Sequence, residues 1–262
     1  MPDDEERSIN YDKLDALLDY HCNNGTDCIV ICGTTGESAT MTEEERLQTI
    51  ECAVKISNGR VPIIAGTGSN NTKAVIEMNK KVEKIGVDGV LVVTPYYNKT
   101  TGEGLVRHYS EIAKNTTLPI ILYNVPSRTG VNIKPEIALK LSKIENIVAI
   151  KEASGDLSQI AQTINFCRDN LKVYSGNDDQ IIPILSLGGI GVISVLSNIK
   201  PKFTHDMIWN FLNGNVQKAK TMQLDAIPLI QDLFIEVNPI PVKRSLNKIG
   251  FKFGKTRLPL LT

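Results

Sequence analysis

The 262-residue chain is poor in the residue types that announce a metal, a disulfide scaffold or a membrane. Histidine occurs three times, widely scattered, which argues against a metal centre. The cysteines at positions 22, 28, 32, 52 and 167 are odd in number and lack zinc-ligand spacing. They read as reduced thiols of a cytoplasmic protein. No apolar run is long enough to span a bilayer. The opening MPDDEERSIN is acidic and polar, unlike a signal or transit peptide. Neither sign of charge dominates, because 29 Lys and Arg balance 29 Asp and Glu. That balance, without basic or acidic blocks, argues against nucleic acid and membrane surfaces as partners. A Gly-x-Gly-x-x-Gly fingerprint after the first strand is also missing, which disfavours a dinucleotide fold.

What remains is an ordinary globular composition, 42% hydrophobic and 22% charged, sufficient for a large core. Short apolar runs alternate with amphipathic stretches. The expected strands are CIVICG (28–33), PIIAGT (62–67), GVLVVTP (89–95), PIILYNV (119–125), IVAIKE (147–152), KVYSG (172–176) and GVISVL (191–196). Nearly continuous apolar runs of this length suit parallel strands covered on both faces. Between them, Thr42 and Glu45 form a capping box ahead of Leu47, Ile50 and Val54. Val75, Met78, Val82 and Ile85 make a second apolar face, stopped by Gly86, and Leu157, Ile160, Ala161 and Ile164 a third. Residues from about 200 onward read as helical, with an interruption at Pro228 and a turn at NPIPVK (238–243).

Repeated strand–helix units fit either a doubly wound sheet or a (β/α)₈ barrel. The unbroken repeat favours the barrel, as does the polar and glycine content after the strands, in GTTGES, GTGSNN, TPYYNK, YNVPSRTG, KEASGD and SGNDD. Only seven strands are recognisable, however. The expected organisation is therefore a barrel derivative over 1–199, lacking its first strand, followed by a helical extension over 200–262.

Lys151 poses the chemical question, because it ends an apolar strand. An ammonium in a dry setting loses its proton more readily, and a neutral amine attacks carbonyl carbon. The plain alternative is an exposed lysine at a strand end. Tyr123 occupies the same kind of position one strand earlier, where a phenol could carry protons. Glu152 should point the other way. GTTGES offers hydroxyls and backbone N–H groups suited to a carboxylate.

GTTGESAT, VTPYYNK, LYNVPSRTG, IVAIKEASG, YSGNDD and GGIGVISV together resemble the dihydrodipicolinate synthases, within the pyruvate-dependent class I aldolases. The likeness runs from about residue 8 to 260. It implies a (β/α)₈ barrel with C-terminal helices, no cofactor or metal, and condensation of pyruvate with aspartate semialdehyde. It assigns the Schiff base to Lys151 and proton transfer to Tyr123, relayed through Thr34 to Tyr97. The last tyrosine serves a neighbouring subunit, so a homodimer or homotetramer is implied. Thr34 and Thr35 would hold the pyruvate carboxylate, Arg128 the carboxylate of the second substrate. Gly176 and Ile193 would line the pyruvate side. A sugar-acid aldolase of the same superfamily and a catalytically impaired relic are the alternatives; Arg128 within PSRTG and the double threonine of GTTGE favour the synthase.

The chain departs from the family pattern in three places. Met1-Pro2 falls where a family strand is ending, which leads to the expectation of a rearranged barrel or one completed by a neighbouring chain. The family's last helix is missing after TRLPLLT. Ala74, Glu43 and Arg46 replace residues of the family's lysine feedback site. The expected consequence is weak or no inhibition by lysine: steady-state rates with and without millimolar lysine should coincide, and strong inhibition would contradict this reading.

Overall fold

A computed structural model describes residues 8–261; the acidic opening MPDDEER, where the family's first strand is expected to be ending, lies outside them. Seven strands form one sheet in chain order. They are β1 (Ile29–Ile31), β2 (Ile63–Gly66), β3 (Gly89–Val93), β4 (Ile120–Asn124), β5 (Ile147–Glu152), β6 (Lys172–Ser175) and β7 (Gly191–Val192). The ladders from β2 to β7 are parallel throughout. Among the described residues the count is seven, as the apolar runs predict, in a TIM-like α/β order with helices between strands.

The chain divides into two compact units, one of residues 64–194 and one of residues 1–63 with 195–262. Helices α1 (Tyr11–Cys22) and α2 (Glu43–Ser57) open the second of these. Thr42 caps α2 with both bonds of the capping box in place: its hydroxyl accepts from the Glu45 N–H, and the Glu45 carboxylate accepts from the Thr42 N–H.

The 64–194 unit holds α3 (Thr72–Ile85), α4 (Gly102–Lys114), α5 (Pro126–Thr129), α6 (Pro135–Leu141), α7 (Leu157–Cys167) and α8 (Ile181–Ser186). Val75, Met78 and Val82 are buried on α3, which ends at Gly86 in the left-handed conformation. Leu105, Tyr109 and Ile112 are buried on α4, and the Tyr109 hydroxyl donates to the Val92 carbonyl at 3.1 Å. The third apolar face differs from expectation. Leu157 is exposed, while Ile160, Thr163 and Cys167 are buried. The buried stripe runs one turn further along, since Leu157 sits in the first turn of α7.

The other unit closes with α9 (Pro201–Leu212), α10 (Val216–Leu233) and α11 (Ile240–Lys248). Val195, Leu196, Ile199, Ala226, Ile230, Leu233, Val242 and Leu246 form its core, with Phe251 and Phe253 packed against it. Three expectations need correction. Pro228 does not interrupt α10, which runs through it. The carbonyl that loses its partner belongs to Leu224, a residue 59% exposed, where water can replace the missing N–H. NPIPVK is a turn only at its start, since α11 begins at Ile240. GVISVL keeps strand geometry only over Gly191–Val192, because Val195 turns into the right-handed helical region and a short 3₁₀ turn follows.

Two of the histidines are buried and neutral. His21, whose Nδ1 lies 2.9 Å from the Thr26 hydroxyl, and His108, with the Thr72 hydroxyl at 2.9 Å, are each pushed down to about 4 by desolvation. The folded chain thus binds these protons less readily than the unfolded chain. Their contribution to stability is complete above about pH 6.5 and lost as pH falls toward 4, at roughly 2–3 kcal/mol per ring. Thermal melts should be level from pH 8 to 7 and fall steadily below about 6.5; a melting temperature unchanged down to pH 4.5 would contradict this.

Candidate active site

Lys151 stands on β5 in register with Tyr123 on β4 and Tyr174 on β6. Paired residues of parallel strands face the same side, so the amine-bearing side chain lies between two tyrosines. Its Nζ is 4.5 Å from the centre of the Tyr123 ring. Backbone bonds run across the strand ends: Thr94 N–H to the Tyr123 carbonyl at 3.1 Å, Ala153 N–H to the Asn124 carbonyl at 2.8 Å, and Gly176 N–H to the Glu152 carbonyl at 2.7 Å. The spacing of Tyr123 and Lys151 is therefore set by main-chain geometry.

Lys151 is half-buried, and the protein packed around its amine disfavours the charged form. Desolvation pushes the ammonium down to about 8; Asp178 draws it back up and the Arg128 guanidinium adds to the depression. Gly176 makes room for the stem. A Cβ there would sit 3.2 Å from Lys151 Cε, 3.1 Å from the Glu152 carbonyl oxygen and 2.7 Å from the Ala153 side chain. Asp178 is almost fully buried. Sequence reading missed its role, although SGNDD stood out as a polar cluster after a strand.

Arg128 lies on the single turn of α5. Pro126 presets its start, Gly130 ends it in the left-handed conformation, and the Thr129 hydroxyl donates to the Val131 carbonyl at 3.0 Å. Arg128 is an exposed residue of this braced turn. Tyr97 is 91% exposed, on a loop where its own φ is 70° and that of Lys99 is 54°. A phenol this exposed on a left-handed residue is unusual. Ile193 is half-buried, with its N–H on the Ser175 carbonyl at 2.8 Å.

Thr34 and Thr35 belong to the other compact unit. Their loop folds tightly, with the Gly36 N–H on the Gly33 carbonyl and the Glu37 N–H on the Thr34 carbonyl, both at 3.1 Å. The C-terminal region of the same unit fastens it. Asn238 Nδ2 donates to the Thr35 hydroxyl at 3.0 Å, Lys243 Nζ to Glu37 at 2.7 Å, and the Arg257 N–H to the other Glu37 oxygen at 3.0 Å. NPIPVK, read as a plain turn, supplies two of these contacts.

A cleft of about 550 Å³ lined by Asn70, Thr72, Asn98, Lys99, Arg107 and His108, among others, includes neither Lys151 nor Tyr123. Its size is no guide to the chemistry; the desolvated amine is.

A parallel α/β sheet of TIM-like order here sets a desolvated lysine beside a tyrosine, an arrangement compatible with carbonyl capture. The comparisons narrow this further. The Dihydrodipicolinate synthetase family model matches residues 1–262. The 4-hydroxy-tetrahydrodipicolinate synthase of Clostridium novyi is 55% identical over 256 residues, 98% of this chain and 86% of that protein. The crystal structure of dihydrodipicolinate synthase from Thermotoga maritima superposes with a TM-score of 0.95 at 43% identity, covering 97% of this chain and 88% of that one. The chloride-inhibited dihydrodipicolinate synthase from Acinetobacter baumannii complexed with pyruvate gives 0.94 at 42% identity, covering 97% and 87%. The chain belongs to the dihydrodipicolinate synthase family.

The reactivity of Lys151 should reveal its depressed proton affinity directly. Trace acetylation across a pH series, read by peptide mass spectrometry, should give a half-maximal rate for Lys151 near pH 8, well below the ~10.4 of a free lysine side chain. A Lys151 midpoint indistinguishable from that of a free lysine would contradict the desolvated amine.

Proposed function

We propose that the protein is a Schiff-base lyase that condenses pyruvate with aspartate 4-semialdehyde to 4-hydroxy-tetrahydrodipicolinate, in lysine and diaminopimelate biosynthesis. The observation that carries the reading is the desolvated Lys151 amine 4.5 Å over the Tyr123 ring. The relatives named as synthases support it over a sugar-acid aldolase.

The neutral amine adds to the keto carbon of pyruvate, and the carbinolamine loses water to give the Schiff base. Loss of a methyl proton yields the enamine, whose carbon attacks the aldehyde of the second substrate. The substrate's own amine then displaces Lys151 from the imine carbon, closing the ring. Tyr123 delivers and removes the protons, relayed through Thr34 to Tyr97 of a neighbouring copy. Thr34 and Thr35 take the pyruvate carboxylate, with Gly176 and Ile193 beside it through backbone groups. Arg128 takes the carboxylate of the aldehyde substrate, for which its planar fork is suited. The solvent exposure of Tyr97 supports a shared site and hence a homodimer or homotetramer. One solved relative is described as the first monomeric dihydrodipicolinate synthase variant.

Borohydride reduction in the presence of pyruvate should leave a stable adduct on Lys151, found by peptide mass spectrometry, and Lys151→Ala should abolish it. Absence of the adduct from the unaltered chain would overturn the reading. An adduct without condensation of aspartate semialdehyde would favour another aldehyde partner.

A further inference from the structure

The residues that follow the two reactive side chains form a second, hidden layer. Asn124 and Glu152 are paired in the same ladder as Tyr123 and Lys151, one step further along. Alternation turns them to the opposite face of the sheet. Both are fully buried. Asn124 Nδ2 lies 3.1 and 3.0 Å from the two Glu152 carboxylate oxygens and 2.9 Å from Asn132 Oδ1, so its two hydrogens are shared among three acceptors. The Ser154 N–H donates to Glu152 at 2.8 Å, and the Ile133 N–H to Asn124 Oδ1 at 2.9 Å. Asn132 and Gln159 exchange amide bonds at 2.7 and 3.0 Å, which brings α7 into the network.

A buried carboxylate is costly unless its acceptors are filled. Here amide and backbone donors fill them, while burial still raises the proton affinity of Glu152. An aliphatic residue would serve a merely structural wall at lower cost. The carboxylate instead ties β4 to β5 where such a tie bears on the reactive layer, one residue beyond the pair whose spacing matters for catalysis.

We propose that Glu152 and Asn124 are positioning residues, forming a clamp behind the sheet that holds Lys151 against Tyr123. This inference rests on the Schiff-base reading above. Donor and acceptor in the clamp are complementary, so glutamine at 152 would oppose an N–H₂ to donors without changing shape. Exchanging the two groups restores the match between 124 and 152, and turning over the reciprocally bonded Asn132 and Gln159 amides presents the Asn132 N–H₂ to the new carboxylate at 124.

The test uses the full chain and measures the rate of borohydride-trappable adduct on Lys151, the pyruvate KM and kcat, and the melting temperature. Glu152→Gln should slow adduct formation and kcat by about 10- to 100-fold, the scale expected for a displacement near one ångström, with pyruvate KM changed less than about threefold. The double variant Asn124→Asp with Glu152→Gln should recover the rate to within about fivefold of the parent. Glu152→Gln within about twofold of the parent, or a swap that fails to recover the rate, would overturn the clamp. Should the single variant fail to fold, Asn132→Ala, at the exposed end of the network, should slow adduct formation several-fold; an unchanged rate would equally overturn it. Failure of the underlying reading is told apart by the parent protein, which would then show no adduct on Lys151 at all.

Discussion

Desolvation of one amine is the constraint on which the proposed chemistry depends. An exposed lysine is an ammonium at neutral pH and has no lone pair to offer a carbonyl. Setting the Lys151 side chain between strand-borne tyrosines removes water from the charged form, and the amine becomes available near physiological pH. Two charges then tune the outcome in opposite directions. Asp178 favours the ammonium and Arg128 disfavours it. An amine left too basic would be protonated, and one pushed too low would lose basicity that proton transfer needs.

That environment is a product of the sheet. Side chains on adjacent parallel strands share a face when their residues are in register, and Tyr123, Lys151 and Tyr174 are. The next residues along β4 and β5 face the other way and are tied to each other by a buried carboxylate and an amide. One face thus carries the residues of the proposed chemistry and the other a buried polar tie, with the peptide backbone between them. The loop bearing Thr34 and Thr35 is treated similarly within its own unit, where Asn238, Lys243 and Arg257 hold it through side-chain and backbone bonds. Polar groups fix both pieces, where apolar contacts would leave direction undetermined.

Much of this was legible in the residue order. Seven apolar runs became seven strands, because a strand covered on both faces must be apolar along its length. The capping box at Thr42 and the stop at Gly86 are local devices and formed as read. Errors fell where tertiary surroundings override local preference. Pro228 sits inside a helix because the carbonyl it orphans belongs to an exposed residue. GVISVL bends away after two strand residues. In the candidate site, Asp178 and the Asn124–Glu152 clamp escaped notice, since nothing in their local sequence says what faces them.

The sequence alone determined the strand–helix alternation, the placement of Lys151 and Tyr123 at strand ends, and, through its motifs, the family. Periodicity and apolar run length are local properties and survive without coordinates. Only the tertiary structure decided that the Lys151 ammonium is desolvated, that Asp178 and Arg128 share its field, and that Glu152 is buried with donors on its carboxylate. Those facts depend on register between strands distant in sequence, and burial and electric field are properties of what packs nearby rather than of the residue itself.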